Sequence, residues 1–174
     1  VYALLTFVLN TRERAEELGQ PDPYFVQEDT VRIAFGRFDV RGQFDLTNEN
    51  NRHGQQLSYA AILETQAALE GRGIPLVIVL IPSKEEVYRP LVEPTLGAEV
   101  IDGMSVGRLE MNTFCEENGL LCFDAYPLLV EHARQNEQLY WEDDLHLNVA
   151  GNKALADGLW AYLGEHGLQT AATP

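Results

Sequence analysis

Apolar and polar positions follow one another along the chain in blocks, and each block predicts one element. Residues 2–18 carry apolar side chains first and charged side chains second, which predicts a helix. Gly19, Pro21 and Pro23 come directly afterwards, so we expect this helix to end near Leu18.

The block at residues 20–56 has the two-residue period of a β-strand. Its alternating apolar positions, which precede a polar loop, are Val31, Ile33, Phe35, Phe38 and Val40. This pattern predicts either a β-hairpin or an irregular insertion.

The next two blocks predict a helix and then a buried strand. Residues 57–72 place apolar groups near helical spacing, and Gly71 and Gly73 end the helix. The run IPLVIVLIP at 74–82 is continuously apolar and rich in β-branched residues. Such a run is typical of a strand covered on both faces in a parallel sheet.

A second helix and a second strand follow an interruption. Residues 83–100 contain Pro90 and Pro94 and are predicted to be irregular. The pattern then predicts a helix over residues 104–119 and a buried strand, LLCFDAYPLL, over residues 120–129.

The last block predicts a helix that begins after Asn148, a good N-cap residue. Residues 164–174 are predicted to form a tail. Helices that alternate with buried strands indicate the α/β class, and we expect a partial doubly wound (flavodoxin-like) parallel sheet flanked by helices. The length of 174 residues fits a single domain over residues 1–174. The apolar face of the last helix consists of Leu155, Leu159, Tyr162 and Leu163.

The excess of acidic over basic side chains limits the kinds of molecule that the chain is expected to bind. It has 27 acidic and 12 basic side chains and a net charge of −15. Because this charge repels phosphate backbones, we expect no nucleic-acid partner. The opening run VYALLTFVLN is shorter than the ~20 apolar residues that cross a bilayer, so no membrane insertion is predicted.

Cys115 and Cys122 allow two interpretations. In an oxidising compartment they can form a disulfide. The other interpretation, two small buried apolar residues, is favoured by how often free cysteine is part of a core. The C-x6-C spacing is not that of a metal site.

The loop WEDDLHLN at residues 141–148 carries the candidate chemistry. A carboxylate three residues before a histidine can accept the Nδ1 proton and leave Nε2 free to take a proton from a nucleophile, which assigns Asp143 and His146 as the catalytic pair. Asp144 or Glu142 can replace Asp143 on spacing alone, and a solvated acidic loop is the non-catalytic interpretation. We expect no cofactor and no metal, because so local a cluster needs distant ligands to complete a metal shell.

Two stretches resemble a known family. WEDDLHLNVAGNKALADGLWAYL is similar to the last block of the SGNH (GDSL-like) hydrolases, in which D-x-x-H supplies the Asp and His of a serine triad. VIVLIPSKEEVY resembles the penultimate parallel strand and loop of the branch that includes the alginate O-acetyltransferase-like proteins. The resemblance covers residues 57–163. It implies triad roles for Asp143 and His146, an SGNH-type fold and an extracytoplasmic location.

The resemblance also implies a nucleophile that the sequence does not present. The serine of the family stands in a G-D-S motif, and Ser58, Ser83 and Ser105 all lack that setting. The Gly and Asn of the oxyanion hole are not assigned either. The chain therefore resembles the carboxyl-terminal portion of such an enzyme. Two alternatives stay open: Ser83 beside Lys84 caps a loop or lines a substrate, or an unusual serine, Ser83 or Ser58, reaches His146 in the fold.

Two functions follow from these expectations. The first is an ester hydrolase or O-acyltransferase whose partner is an acylated small molecule or glycan. The second is a catalytically silent module that binds a glycan or a protein on the same fold. Because two strands leave the edges of a sheet unpaired, a homodimer is a further expectation.

Overall fold

The computed structural model of the protein describes residues 24–35 and 45–169. The predicted helix at 2–18 and the apolar positions Phe38 and Val40 lie outside the described residues.

A hairpin of two antiparallel strands begins the described part of the chain. Strand β1 (Tyr24–Glu28) pairs with strand β2 (Val31–Phe35), with Glu28 opposite Val31. Asp29, in the two-residue turn, takes a positive φ of 48°, which aspartate tolerates better than most residues. The buried apolar residues of β2 enter the main core, and they are Val31, Ile33, Ala34 and Phe35.

The second sheet consists of two parallel strands, β3 (Val77–Leu80) and β4 (Leu121–Asp124), with Val77 opposite Leu121. The parallel pairing that the apolar runs predicted is confirmed. All eight residues are only partly buried, although the sequence predicted strands covered on both faces. Among the described residues the sheet has no third strand, so both of its outer edges lack a neighbouring strand.

The described residues form six helices besides the four strands. The helices are α1 (Glu49–Glu70), α2 (Lys84–Val87), α3 (Arg89–Leu96), α4 (Ala98–Asn118), α5 (Tyr126–Arg134) and α6 (Val149–Glu165).

Two local predictions were wrong, and proline explains both. Residues 83–100 are mostly helical rather than irregular, because Pro90 lies in the first turn of α3, where a missing N–H costs nothing. Strand β4 ends at Asp124 rather than near residue 129, because Pro127 lies in the first turn of α5.

The helix boundaries follow their caps. Helix α1 begins at Glu49, earlier than predicted, because the Asn48 side chain accepts from the backbone N–H groups of Asn50 and Asn51. The start of α6 is confirmed: Asn148 caps it by accepting from Gly151 N at 3.0 Å. Helix α6 continues to Glu165, into the predicted tail.

Strand β4 has a helix on each face. Consecutive side chains of a strand point to opposite faces. Cys122 is bonded to Cys115 of α4, whereas the Phe123 ring lies 5.4 Å from the Tyr162 ring of α6. Helices α4 and α6 therefore cover opposite faces of the sheet, which is the layered arrangement of an α/β fold.

The two cysteines form a disulfide. The interpretation as two free apolar residues, which the sequence favoured, was therefore wrong. Spacing alone did not show that the end of α4 turns directly back into β4, which brings the two Cα atoms to 6.2 Å. No helix in the described ranges is long and apolar enough to cross a membrane.

Candidate functional site

Residues 141–146, here called the His146 loop, form a tight loop between α5 and α6. An antiparallel bridge between Tyr140 and Leu147 closes its base. Trp141 N donates to His146 O at 3.1 Å, and Asn148 N donates to Leu139 O at 2.8 Å. The two ends of the loop are therefore fixed in register.

Asp144 holds His146 at two points. The ring Nδ1 of His146 lies 2.5 Å from Asp144 Oδ1, and the same oxygen accepts from the backbone N of His146 at 3.1 Å. The hydrogen bond from the His146 side chain is the main reason why the pKa of Asp144 lies below its ordinary value of 3.8. With the carboxylate as acceptor, Nδ1 carries the proton and Nε2 is free to accept another.

Asp143, which the sequence paired with His146, lies on the exposed side of the same loop. Its carboxylate makes no hydrogen bond to any described residue, and the ring contact belongs to Asp144, one of the two alternatives. The catalytic roles of Asp143 and His146 stay predictions. Glu142, the other alternative, forms an ion pair with Arg32 at 3.1 Å, and its carbonyl accepts from Ala34 N.

The imidazole faces solvent. The side chain of His146 is 81% exposed and that of Asp144 is 50% exposed. Trp141 stands directly opposite His146 across the loop and is 53% exposed, whereas the neighbouring pair Tyr140 and Leu147 is buried. The loop therefore presents both the indole and the imidazole to solvent.

Two buried tyrosines support the loop from below. The Tyr140 hydroxyl donates to Pro82 O at 2.8 Å, which ties the loop to the carboxyl end of β3. The Tyr88 hydroxyl donates to Glu137 O at 2.6 Å and accepts from Leu139 N at 2.7 Å. Burial raises the pKa of Tyr88 to about 12 and raises that of Tyr140 further, so both hydroxyls are neutral donors at physiological pH.

The entry to α6 requires a glycine. A Cβ on Gly151 would collide with the carbonyl oxygen of Leu139. This close approach lets Asn148 cap the helix while its Nδ2 donates to the carbonyl of Gln138. The sequence HLNVAG therefore fixes the distance between the loop and the helix that follows it.

A buried lysine lies under the loop. Lys84, the first residue of α2, donates from Nζ to Glu142 O at 3.3 Å and to Asp144 O at 3.1 Å. Its neighbour Glu85 is also buried, and Glu85 Oε2 has no hydrogen-bond partner among the described residues. Burial lowers the pKa of Lys84 and raises that of Glu85.

The hydroxyl groups of all three serines of the chain form hydrogen bonds with groups other than His146. Ser83 Oγ accepts from Glu86 N and caps helix α2, whereas the sequence suggested that Ser83 caps a loop or lines a substrate. The hydroxyl of Ser58 donates to Gly54 O inside α1, and that of Ser105 donates to Ile101 O inside α4. The structure records no hydrogen bond between any of them and His146. The structure therefore does not support the alternative in which Ser83 or Ser58 contacts His146.

No group of three or more potential metal ligands comes together within residues 24–35 and 45–169.

A cavity of about 320 Å³ lies between β2, α2, α3 and α5, and no residue of the His146 loop lines it. Its wall combines apolar side chains, among them Val31, Val87, Leu91 and Val130, with polar or charged ones, which are Glu28, Glu86, Arg89, Arg134 and Asn136.

Sequence reasoning named Asp144 only as an alternative to Asp143. A signal for Asp144 exists, because aspartate often accepts the N–H of the residue two positions later, and this turn also brings its carboxylate to the ring of His146. The role of Lys84 under the loop was missed, and no sequence signal could have shown it, because its contacts span 58 and 60 residues of chain.

One comparison with known proteins identified a family. The family model described as "SGNH hydrolase-like domain, acetyltransferase AlgX" matches residues 41–173 of the chain. No curated protein and no solved structure gave a significant match.

Proposed function

Because this chain belongs to the family of SGNH hydrolase-like domains of the acetyltransferase AlgX type, we propose that it acts on an acyl ester with His146 as general base. Asp144 is the carboxylate that orients the ring. The single observation that carries the proposal is the contact between His146 Nδ1 and Asp144 Oδ1 at 2.5 Å on an open surface.

The chemistry needs one proton to move twice. His146 Nε2 takes the proton of a hydroxyl group, and the oxygen attacks the carbonyl carbon of the ester. The tetrahedral intermediate then collapses, and the imidazolium returns the proton to the departing alkoxide. Asp144 stabilises the imidazolium while it exists. Since the three serines of the chain have other partners, the attacking hydroxyl in this scheme belongs to water or to the acceptor molecule.

We propose an acylated carbohydrate as the substrate, consistent with the acetyltransferase description of the family. The exposed indole of Trp141, in the same loop as His146, supports this choice, because aromatic side chains commonly line ligand sites and present a flat apolar surface. A neutral acceptor also suits the acidic loop and the net charge of −15 better than an anionic one.

The finer architecture is part of the same proposal. Helices on both faces of β4 support a doubly wound arrangement around the parallel pair.

The disulfide between Cys115 and Cys122 supports an oxidising compartment outside the cytoplasm. The two sheet edges without a strand neighbour support pairing of two chains into a homodimer, which light scattering at several concentrations tests.

A second function is a catalytically silent module that binds a glycan or a protein through this surface. It is favoured by one observation: all three serine hydroxyls have hydrogen-bond partners other than His146. Such a module binds without turning over an ester.

Hydrolysis of p-nitrophenyl acetate by the chain and by His146→Ala separates the two functions. Acyl chemistry predicts that His146→Ala loses activity by about 10²- to 10⁴-fold, the usual contribution of a positioned general base. A rate that is equal in both proteins would contradict it and would support the silent module. His132→Ala is a matched control, because His132 lies on α5 and pairs with Glu137.

A further inference from the structure

We propose that Lys84 is a positioning residue that holds the His146 loop in its working shape, a role that rests on the proposed function. Its Nζ donates to two carbonyl oxygens of the loop, those of Glu142 and Asp144. One side chain of α2 therefore fixes the backbone of the residue that contacts the ring of His146.

The burial of this lysine needs a reason. Lys84 is 2% exposed, and no ion pair of Lys84 occurs in the described part of the chain. Taking an ammonium out of water is costly unless hydrogen bonds compensate, and an apolar side chain of similar length would fill the same space without that cost. The compensating hydrogen bonds go to two carbonyl oxygens of the His146 loop. The contacts that stabilise the buried ammonium are therefore the same contacts that fix the backbone of this loop.

The ammonium of Lys84 also reduces the repulsion between the negative charges of the loop. Three acidic residues in a row, Glu142, Asp143 and Asp144, repel one another within a short turn. The ammonium beneath them provides an opposite charge that favours the compact loop. Burial lowers the pKa of Lys84, and the surrounding carboxylates of Glu85, Asp144, Asp143 and Glu142 counteract this effect.

The position of Asp144 depends on this support. Its carbonyl binds Lys84 at 3.1 Å, while its side chain holds His146 at Nδ1 and at the backbone N. Without the ammonium the Asp144 peptide loses its anchor, and a shift of the order of 1 Å is enough to reduce catalysis strongly. Lys84 thus acts on the reaction through Asp144 and does not itself touch the substrate.

Amide hydrogen exchange of the loop tests the proposal without requiring turnover. Lys84→Met keeps the apolar stem and removes the ammonium. The matched control is Lys153→Met, which changes the only other lysine of the chain, exposed on α6 and paired with Asp157. We expect the Trp141 and His146 amides to exchange at least ~10-fold faster in Lys84→Met, as loss of hydrogen bonds to a charged group predicts, and to be unchanged in Lys153→Met. Unchanged exchange in a folded Lys84→Met protein would overturn the proposal.

A second measurement uses the unmutated chain, so it stands even if Lys84→Met does not fold. Lysine labelled with ¹⁵N gives two ammonium groups in NMR spectra. The Lys84 group should exchange slowly with water and show through-space contacts to the His146 loop, whereas a Lys84 signal as mobile as that of Lys153 would overturn the proposal.

Kinetics separate this role from the proposed function. If the chain turns over esters, Lys84→Met should lower kcat with little change in KM. If loop exchange accelerates while His146→Ala leaves turnover unchanged, the positioning role stands and the proposed function fails.

Discussion

Asp144 and His146 are joined by their side chains and by the backbone at the same time. One oxygen of Asp144 accepts from the backbone N of His146 at 3.1 Å and lies 2.5 Å from its ring Nδ1. The shared oxygen limits the rotation of the imidazole relative to its own backbone. Although both side chains face solvent, the ring is thereby held, and no described residue forms a hydrogen bond with Nε2.

Titration of Asp144 reports this contact directly. Its pKa should lie below 3.8, chiefly because His146 donates to it, and His146→Ala should raise that pKa toward its ordinary value. Since the folded-state pKa is lowered, the stability that this group contributes is present above about pH 4 and is lost as the pH falls through the folded-state pKa. Carbon-detected NMR across pH 2 to 6, roughly the carboxyl range, measures both effects.

Asp45 is the internal control in that titration. Its pKa is also lowered, but through hydrogen bonds with Thr47, so His146→Ala should leave it where it is. If the pKa values of Asp144 and Asp45 are both unchanged in the mutant, Asp144 does not depend on the ring of His146.

Gly151→Ala should destabilise the protein. The added methyl group would collide with Leu139 O at the point where the His146 loop enters α6, and overpacking of this kind costs roughly 1–3 kcal/mol. Gly103→Ala in α4 is the control: a Cβ there meets nothing within 4 Å, so stability should stay equal or rise by about 0.5–1 kcal/mol. Urea unfolding measures both, and equal effects would mean that the close approach at Gly151 is absent.

Tyr88→Phe should lower the free energy of unfolding and make that free energy depend less on pH in the alkaline range. The change leaves the buried N–H of Leu139 and the carbonyl of Glu137 without their partner, at a cost of roughly 1–3 kcal/mol. The folded-state pKa of Tyr88 is raised to about 12, so its contribution is complete below the ordinary value near 10 and is lost as the pH rises from there to about 12.

Urea unfolding between pH 8 and 12, roughly, tests this expectation. The fall in the free energy of unfolding above pH ~10 should be smaller in Tyr88→Phe than in the unmutated chain. Tyr126→Phe is the matched control, because the Tyr126 hydroxyl has no hydrogen bond in the ranges that the structure describes, and its ring keeps its place beside Arg108. A steep alkaline loss that is the same in all three proteins would exclude Tyr88 as its source.

Local sequence signals predicted the elements of the fold that depend on local chemistry. The apolar runs predicted β3 and β4, and Asn148 predicted the start of α6. Pro90 led to a prediction of irregular structure, although the residue that interrupts a helix interior is favoured in a first turn. Pro127 marks the first turn of α5, and the prediction that extended the second strand to residue 129 did not account for it.

The candidate site was predicted only in part, for a physical reason. His146 was identified from its acidic neighbours, but the choice between Asp143 and Asp144 depends on how the loop turns, which spacing alone leaves open. Lys84, Tyr88 and Tyr140 reach the site through contacts across 49 to 60 residues of chain. Such long-range contacts leave no periodic pattern in the sequence.

The most direct test of the account compares Asp144→Asn with Asp143→Asn in the turnover of p-nitrophenyl acetate at pH 8, roughly the range in which a histidine acts as a base. Asp144→Asn should lower kcat/KM by about 10²- to 10⁴-fold, because the amide cannot accept from Nδ1 as a carboxylate does. Asp143→Asn should stay within about threefold of the unmutated chain, in line with the small effect of most surface changes. A large loss in Asp143→Asn with none in Asp144→Asn would contradict the assignment of Asp144 as the partner of His146.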